Sequence, residues 1–150
     1  VATNRDGDRG NFSLSLDKNG TLQTTIVIDE ALSPSKSTVV NKAKSPLTTG
    51  LVTTSTTGNS ALPQKTWRHI VVTADGEQLQ IYEDGKLVAS TACAEMASSD
   101  SETVWFGTDA KATQVWDGRI DEVALFNRAL NEAEISTLYR TAQEEIARSR

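Results

Sequence analysis

The sequence predicts an all-β protein, built as an antiparallel sandwich or barrel, with one helix at its C-terminal end. Two observations predict the strands: Ser, Thr and Val are abundant, and short alternating segments are separated by Asn-Gly and Asp-Gly turns. A single stretch of helical periodicity near the C-terminus predicts the helix. The chain has 150 residues, a usual size for one domain.

The first predicted element is a hairpin. Apolar and polar residues alternate over residues 12–16, which is typical of a half-buried strand. Asn19-Gly20 follows and supplies the positive φ angles of a tight turn. Residues 21–28 are therefore predicted to return antiparallel to the first strand.

The middle of the chain gives weaker signals. Short β-rich pieces occur at 37–42 and 49–54. Residues 56–64 contain Gly58, Asn59 and Pro63, a composition that predicts a loop.

The second half predicts a meander of three strands, followed by two further strands. Residues 67–73, 78–82 and 86–91 are β-rich, and Asp-Gly pairs separate them, which is the spacing of a sandwich or a barrel. Residues 103–106 and 119–126 are the two later predicted strands.

The predicted helix begins after Asn131. Asn131 and Glu134 have the spacing of a capping box, with Asn in place of the usual Ser or Thr. One apolar face follows at helical spacing, made of Ile135, Leu138, Tyr139, Ala142 and Ile146.

Charge and composition exclude several function classes. The net charge is −5, and no basic stripe with interleaved aromatic residues is present, so we expect no nucleic-acid partner. No apolar run approaches the length of a membrane span, so we expect no membrane insertion. The single cysteine, Cys93, is expected to pack as a small apolar residue.

Four segments in series resemble the laminin-G-like branch of the concanavalin A-like lectin and glucanase superfamily. They are residues 67–76, 79–88, 104–107 and 118–130, and the last is followed by Glu134-Ile135 and Leu138-Tyr139. The resemblance implies a two-sheet antiparallel jelly-roll sandwich with a short C-terminal helix. It also implies that residues 1–150 are a single domain, excised from a larger protein and lacking the family's usual N-terminal strands. The exposed sheet edge that remains is then expected to be covered by a partner chain or by self-association.

The same resemblance implies a non-catalytic binding or adhesion module outside the cytoplasm, with carbohydrate or another extracellular protein as its partner. The alternatives are a structural accessory domain that packs against neighbouring proteins and, more remotely, a degenerate glycosidase relative. Glycoside hydrolysis needs two carboxylates facing one bond. Asp121 and Glu122 are adjacent, so on a strand they would point to opposite faces, and we expect no enzyme activity.

Calcium is the cofactor that the sequence and the resemblance suggest. Asn4, Asp6 and Asp8 alternate in a glycine-containing segment, as oxygen ligands of a hard cation do, with a solvated turn as the alternative. Asp121 is a second candidate ligand. Strand alternation would place Asp121 on an apolar face, where a salt bridge with Arg119 or Arg128 is the alternative.

Aromatic residues are the candidates for stacking on a sugar. Trp116, beside a loop, and Tyr82, which alternates away from its apolar neighbours, are the predicted ligand-binding residues. Trp67 and Trp105 lie in strand motifs and are expected to pack in the core. His69 is expected to be a hydrogen-bonded strand residue rather than a catalytic one.

Overall fold

The computed structural model describes residues 2–6, 10–29, 51–99 and 101–148. Within these residues the chain forms two antiparallel sheets and one helix. The strands are β1 (Ala2–Thr3), β2 (Phe12–Leu16), β3 (Thr21–Asp29), β4 (Leu51–Ala61), β5 (Ile70–Ala74), β6 (Gln78–Glu83), β7 (Lys86–Ala92) and β8 (Trp105–Phe106), and the helix is α1 (Glu132–Arg148). The predicted all-β architecture with two sheets and a C-terminal helix is confirmed.

The larger sheet has five strands in the order β4-β3-β2-β1-β8. The predicted hairpin is its centre, since β2 pairs with β3 from Phe12 opposite Ile26 to Leu16 opposite Leu22. Asp17 organises the turn between them, because its Oδ1 accepts hydrogen bonds from the backbone N–H groups of Asn19, at 2.8 Å, and Thr21, at 2.9 Å. Directly opposite residues share a face, so one face of this hairpin is mostly apolar, with Thr24 among its residues, and the other carries the polar side chains of Ser13, Ser15, Gln23 and Thr25.

The edge strand β4 corrects the prediction for the middle of the chain. Residues 56–61, predicted to begin a loop, belong to β4 and pair with β3. The register shifts between Thr21 and Gln23, so three residues of β4, 58–60, stand opposite one residue of β3. This bulge accommodates the turn-forming residues without ending the strand. The predicted β-rich piece at 37–42 lies outside the described residues.

The smaller sheet has three strands in the order β5-β6-β7 and is the predicted meander. The first of these strands begins at Ile70, three residues later than predicted. Trp67 therefore precedes the ladder and is 54% exposed, so the prediction that it packs in the core was wrong.

Apolar side chains fill both faces of the smaller sheet. Ile26 and Ile28 of β3 pack against Leu79 of β6 and Ala94, with Cys93 beside them, which confirms the predicted packing of the cysteine. On the opposite face, Tyr82 forms a second buried cluster with Leu130 and Ile135 under the helix, and Val71 packs against this cluster. The order of layers is therefore the five-stranded sheet, the three-stranded sheet and the helix.

The helix begins with the predicted capping box. The backbone N–H of Glu134 donates to Asn131 Oδ1 at 3.0 Å, and the backbone N–H of Asn131 donates to Glu134 Oε2 at 2.9 Å. Arg128 adds a bidentate ion pair with the same carboxylate, at 2.7 and 2.8 Å. These contacts hold the pKa of Glu134 at about 2, with the Arg128 hydrogen bonds as the largest cause. In the described part of the chain, no helix is long and apolar enough to cross a membrane.

The predicted strand at 119–126 is not formed. Residues 119–126 are coil and bend without a ladder to any described strand, and Glu122 has a positive φ of 52°. An L-residue in this left-handed conformation interrupts an extended chain and its alternation. The apolar side chains of this segment are consequently exposed; they are Ile120, Val123, Leu125 and Phe126. The predicted strand at 103–106 is shortened to β8.

Candidate functional site

A shallow polar groove of about 290 Å³ lies on the outer face of the five-stranded sheet. Its floor comes from the hydroxyl-bearing face of β2 and β3, and its wall comes from the loop after β8. The lining residues are Thr3, Arg5, Ser13, Leu14, Ser15, Thr25, Asp109 and Gln114. Most of these side chains both donate and accept hydrogen bonds.

The strand register builds a row of polar side chains across this face. Thr3 stands opposite Ser13, Ser13 opposite Thr25 and Thr25 opposite Ser55, so all four point to the same side of the sheet. The Thr25 and Ser55 hydroxyls are 2.9 Å apart and hydrogen-bonded. Trp105 stands opposite Thr3 at the other end of the row and is half-buried.

The wall of the groove is a loop that closes on itself. The backbone N–H of Trp116 donates to the carbonyl of Gly107 at 2.7 Å, which brings the two ends of the loop together. Inside the loop, the Asp109 carboxylate accepts the backbone N–H of Thr113 at 2.6 Å, as well as the Thr113 hydroxyl. The Thr113 hydroxyl, followed by the backbone N–H groups, lowers the pKa of Asp109. The groove therefore keeps one anionic group in its wall at neutral pH.

Trp116 anchors this loop. Its side chain is half-buried and lies against Gly118, where an added Cβ would stand 2.6 Å from the indole Nε1. That Nε1 is buried and has no hydrogen-bond partner among the described residues. The predicted stacking of a sugar on Trp116 stays a prediction; the contacts show a residue that positions the groove wall.

Asn4 holds the N-terminal side of the groove. Its side chain is buried, and Oδ1 accepts the backbone N–H groups of Asn11 and Phe12, each at 2.9 Å. Its Nδ2 donates to Asn11 Oδ1 at 2.8 Å and to Ser99 Oγ at 3.0 Å. This clamp joins Asn4 to Asn11 and Phe12, and the residue after Asn4, Arg5, lines the groove.

The predicted calcium ligands do not form a site within the described residues. Asn4 Oδ1 already accepts two N–H groups, so it is a structural clamp rather than a free ligand. Asp6 is exposed, and Asp8 lies outside the described residues. No group of three or more His, Cys, Asp or Glu side chains that could hold a metal ion occurs in the described part of the chain. Calcium binding that involves Asp8 stays a prediction.

Asp121 does not occupy the buried position that strand alternation predicted. It is exposed, and its Oδ1 accepts the backbone N–H of Glu122 at 3.0 Å. In the alternative of a salt bridge with Arg119 or Arg128, Arg128 is not the partner, since it binds Glu134 instead. Both corrections have the same cause: residues 119–126 are not a strand, so alternation does not assign faces there. The argument that separated the Asp121 and Glu122 carboxylates by strand face loses its basis for the same reason.

Tyr82 and His69 also differ from their predicted roles. Tyr82 is only 3% exposed, so its ring has no free face for a sugar, and its hydroxyl donates to Gln80 Oε1 at 3.1 Å. Burial raises the pKa of Tyr82. His69 is hydrogen-bonded as predicted, since its backbone pairs with Asp84, but it precedes β5 and is not a strand residue. Its buried ring Nδ1 has no partner in the described residues.

The comparison with known families decides the relationship that the motifs suggested. A family model described as concanavalin A-like lectin/glucanases superfamily (Laminin_G_3) matches residues 2–136. The chain belongs to this family. Laminin-G-like domains are generally non-catalytic.

Further comparisons add little to this assignment. No curated protein matches this laminin-G-like domain. One similar solved structure is residues 221–444 of an S-layer domain-containing protein from Clostridium thermocellum, with 21% sequence identity and a TM-score of 0.48. The match covers 89% of this chain and 59% of that chain, so the domain spans less than two thirds of that structure.

Sequence reasoning missed most of the groove. Arg5, Asp109 and Gln114 line it, and none of them was singled out from the sequence. A signal was present in the hairpin, where Ser13, Ser15 and Thr25 occupy outward positions with hydroxyl side chains rather than charged ones. Such a face indicates a surface that is solvated but able to bind a polar ligand.

Proposed function

We propose that this laminin-G-like domain is a non-catalytic binding module of an extracytoplasmic protein, and that its groove binds carbohydrate. The observation that supports the proposal is the set of hydroxyl side chains of Ser13, Ser15 and Thr25, which line the groove together with Gln114 and Asp109. Sugar hydroxyls both donate and accept, and hydroxyl and amide side chains match them without the cost of burying a net charge.

An affinity measurement on two variants of one loop tests this proposal. Gln114 lines the groove and its side chain is exposed, whereas Lys111 is an exposed residue of the same loop outside the lining. The probes are cellohexaose, xylohexaose and maltohexaose, titrated separately into the chain by calorimetry. Gln114→Ala is expected to lower the affinity for the oligosaccharide that binds by about fivefold. This is the equivalent of about 1 kcal/mol, the usual contribution of one hydrogen bond.

Lys111→Ala is the control and is expected to bind as the parent does. Equal affinities in the parent and in Gln114→Ala would place any sugar site elsewhere. Absence of binding for all three oligosaccharides at millimolar concentration would contradict the carbohydrate proposal.

A second candidate function, packing against a neighbouring protein or against a second copy of this chain, is favoured by the exposed apolar segment at 120–126. Leu125 is 65% exposed and Phe126 is 53% exposed. Light scattering over a concentration series tests self-association. A mass of one chain at every concentration would argue against a second copy as the partner.

A further inference from the structure

The turn between β2 and β3 contains an asparagine followed by a glycine. Asn19 is exposed, and Gly20 has a φ of 79°. An added Cβ at Gly20 would stand 3.7 Å from Ala61 Cβ, which is an ordinary contact distance, so the peptide between the two residues is not crowded. Asn19 is the one asparagine of the sequence that a glycine follows.

A glycine in this position allows a reaction that a larger residue hinders. The Gly20 main-chain nitrogen can approach Asn19 Cγ, because glycine has no Cβ in the path. In that reaction the nitrogen loses its proton and bonds to Cγ, the Cγ–Nδ2 bond breaks, and ammonia leaves with the proton, so that a succinimide ring remains. Water then opens the ring at one of its two carbonyl groups, which gives an aspartate or an isoaspartate. No oxidant or reductant takes part.

Asp17 holds both reacting groups. The backbone N–H of Gly20 donates to the Asp17 carbonyl at 3.0 Å, and Asn19 Nδ2 donates to Asp17 Oδ2 at 3.3 Å. Asp17 Oδ1 also accepts the backbone N–H groups of Asn19 and Thr21. The Gly20 nitrogen has to give up its hydrogen bond before it attacks, and the Asn19 amide has to rotate away from the carboxylate. These contacts slow the reaction, but they leave Asn19 exposed to water.

We propose that Asn19 deamidates spontaneously in the folded chain, and that the hydrogen bonds of Asp17 set the rate. Both products place a carboxylate where the Asn19 amide now donates to Asp17, so two negative charges face each other. The isoaspartate product also lengthens the main chain inside the turn, which the backbone N–H of Asp17 closes by donating to the Thr21 carbonyl at 2.9 Å. The reaction therefore loosens the β2–β3 turn and makes the net charge of −5 more negative by one unit.

Peptide mapping by mass spectrometry tests the proposal on the full chain. The chain is incubated at pH 8.5 below its melting temperature, and samples are taken over several weeks. The peptide that contains Asn19 is expected to change from amide to acid and to divide into aspartate and isoaspartate forms. Asn127 is the internal control, because it is exposed and lies outside the strands and the helix, but Arg128 follows it. Conversion of Asn19 no faster than that of Asn127 would overturn the proposal.

Variants of the two neighbouring residues test the mechanism. Gly20→Ala places a methyl group in the path of the attack and is expected to slow the conversion about tenfold. Strain at the positive φ would loosen the turn and act in the opposite direction, so lost structure does not explain a slower reaction. Asp17→Ala is expected to speed the conversion about fivefold, the factor that corresponds to one lost hydrogen bond.

Asp17→Asn separates the hydrogen bonds from the charge at position 17. It keeps a side-chain oxygen that accepts the backbone N–H groups of Asn19 and Thr21, so its rate is expected to lie closer to that of the parent than to that of Asp17→Ala. An unchanged rate in Gly20→Ala would contradict attack by the Gly20 nitrogen. A rate in Asp17→Ala no higher than in the parent would overturn the role of Asp17.

Discussion

Replacing Asn4 by Ala tests whether this residue is a structural clamp. The side chain is 4% exposed and makes four hydrogen bonds, two of them from the backbone N–H groups of Asn11 and Phe12. Alanine leaves both N–H groups without this acceptor. Each unsatisfied donor is expected to lower the free energy of unfolding by about 1–3 kcal/mol. The sum is about 2–6 kcal/mol, and water that enters the vacated space brings the expected loss toward about 3 kcal/mol.

Urea unfolding followed by tryptophan fluorescence measures this loss. A loss of about 3 kcal/mol corresponds to a decrease of about 6–12 °C in the melting temperature for a chain of this size. Asn127→Ala is the control, because Asn127 is exposed and lies outside the strands and the helix, and a change within about 0.5 kcal/mol is expected.

The same variant distinguishes a clamp from a calcium ligand. If Asn4 is a clamp, Asn4→Ala lowers the free energy of unfolding equally with and without calcium. If Asn4 is a calcium ligand, the substitution lowers it mainly when calcium is present. A loss under 1 kcal/mol in calcium-free buffer, which is below the cost of even one unsatisfied buried donor, would refute the reasoning.

Three further predictions concern the β6–β7 turn, the helix and the single histidine. Burial lowers the pKa of His69 below its ordinary 6.5, so the folded state binds its proton less readily than the unfolded state, and stability is expected to fall as the pH decreases below 6.5. Because Glu134 has a folded pKa of about 2 and an ordinary value of 4.5, its contribution is present above pH 4.5 and is lost as the pH falls toward 2. Gly85→Ala and Gly20→Ala each place an alanine at a positive φ, which costs about 1–2 kcal/mol of stability. Only Gly85→Ala also brings a methyl group against Tyr139, so this variant is expected to lose more stability than Gly20→Ala.

Each of these predictions has its own measurement. Urea midpoints at pH 7.5 and 5.5 are compared between the parent and His69→Gln, and an equal change in both chains would contradict the histidine effect. Helix content by circular dichroism is followed from pH 6 to pH 2, where Glu134→Gln is expected to show a smaller acid loss than the parent. Equal melting temperatures in the two glycine variants would mean that the ring moves aside without cost.

Interactions between residues close in the sequence were predictable. The hairpin of β2 and β3, the Asp-Gly turns and the capping box at Asn131 each depend on a few neighbouring residues, whose backbone preferences and side-chain reach are set locally. The family relationship was predictable as well, because its motifs lie in four segments in series.

The candidate site was predictable only in part. The polar face of the hairpin follows from alternation, but Asp109 and Gln114 reach the groove through a loop whose closure depends on the contact of Trp116 with Gly107. The segment that contains Asn4 has the composition of a cation-binding loop. Only the hydrogen bonds from the backbone N–H groups of Asn11 and Phe12 show that the Asn4 side-chain oxygen is already used.

Alternation and periodicity determine which side chains share a face, since this follows from strand and helix geometry alone. They do not determine whether that face is covered. Trp67 and residues 119–126 have strand-like sequences yet lie exposed, whereas Tyr82 is buried because α1 packs over it. Burial depends on the elements that the rest of the chain brings alongside, and in this domain the tertiary structure alone decided it.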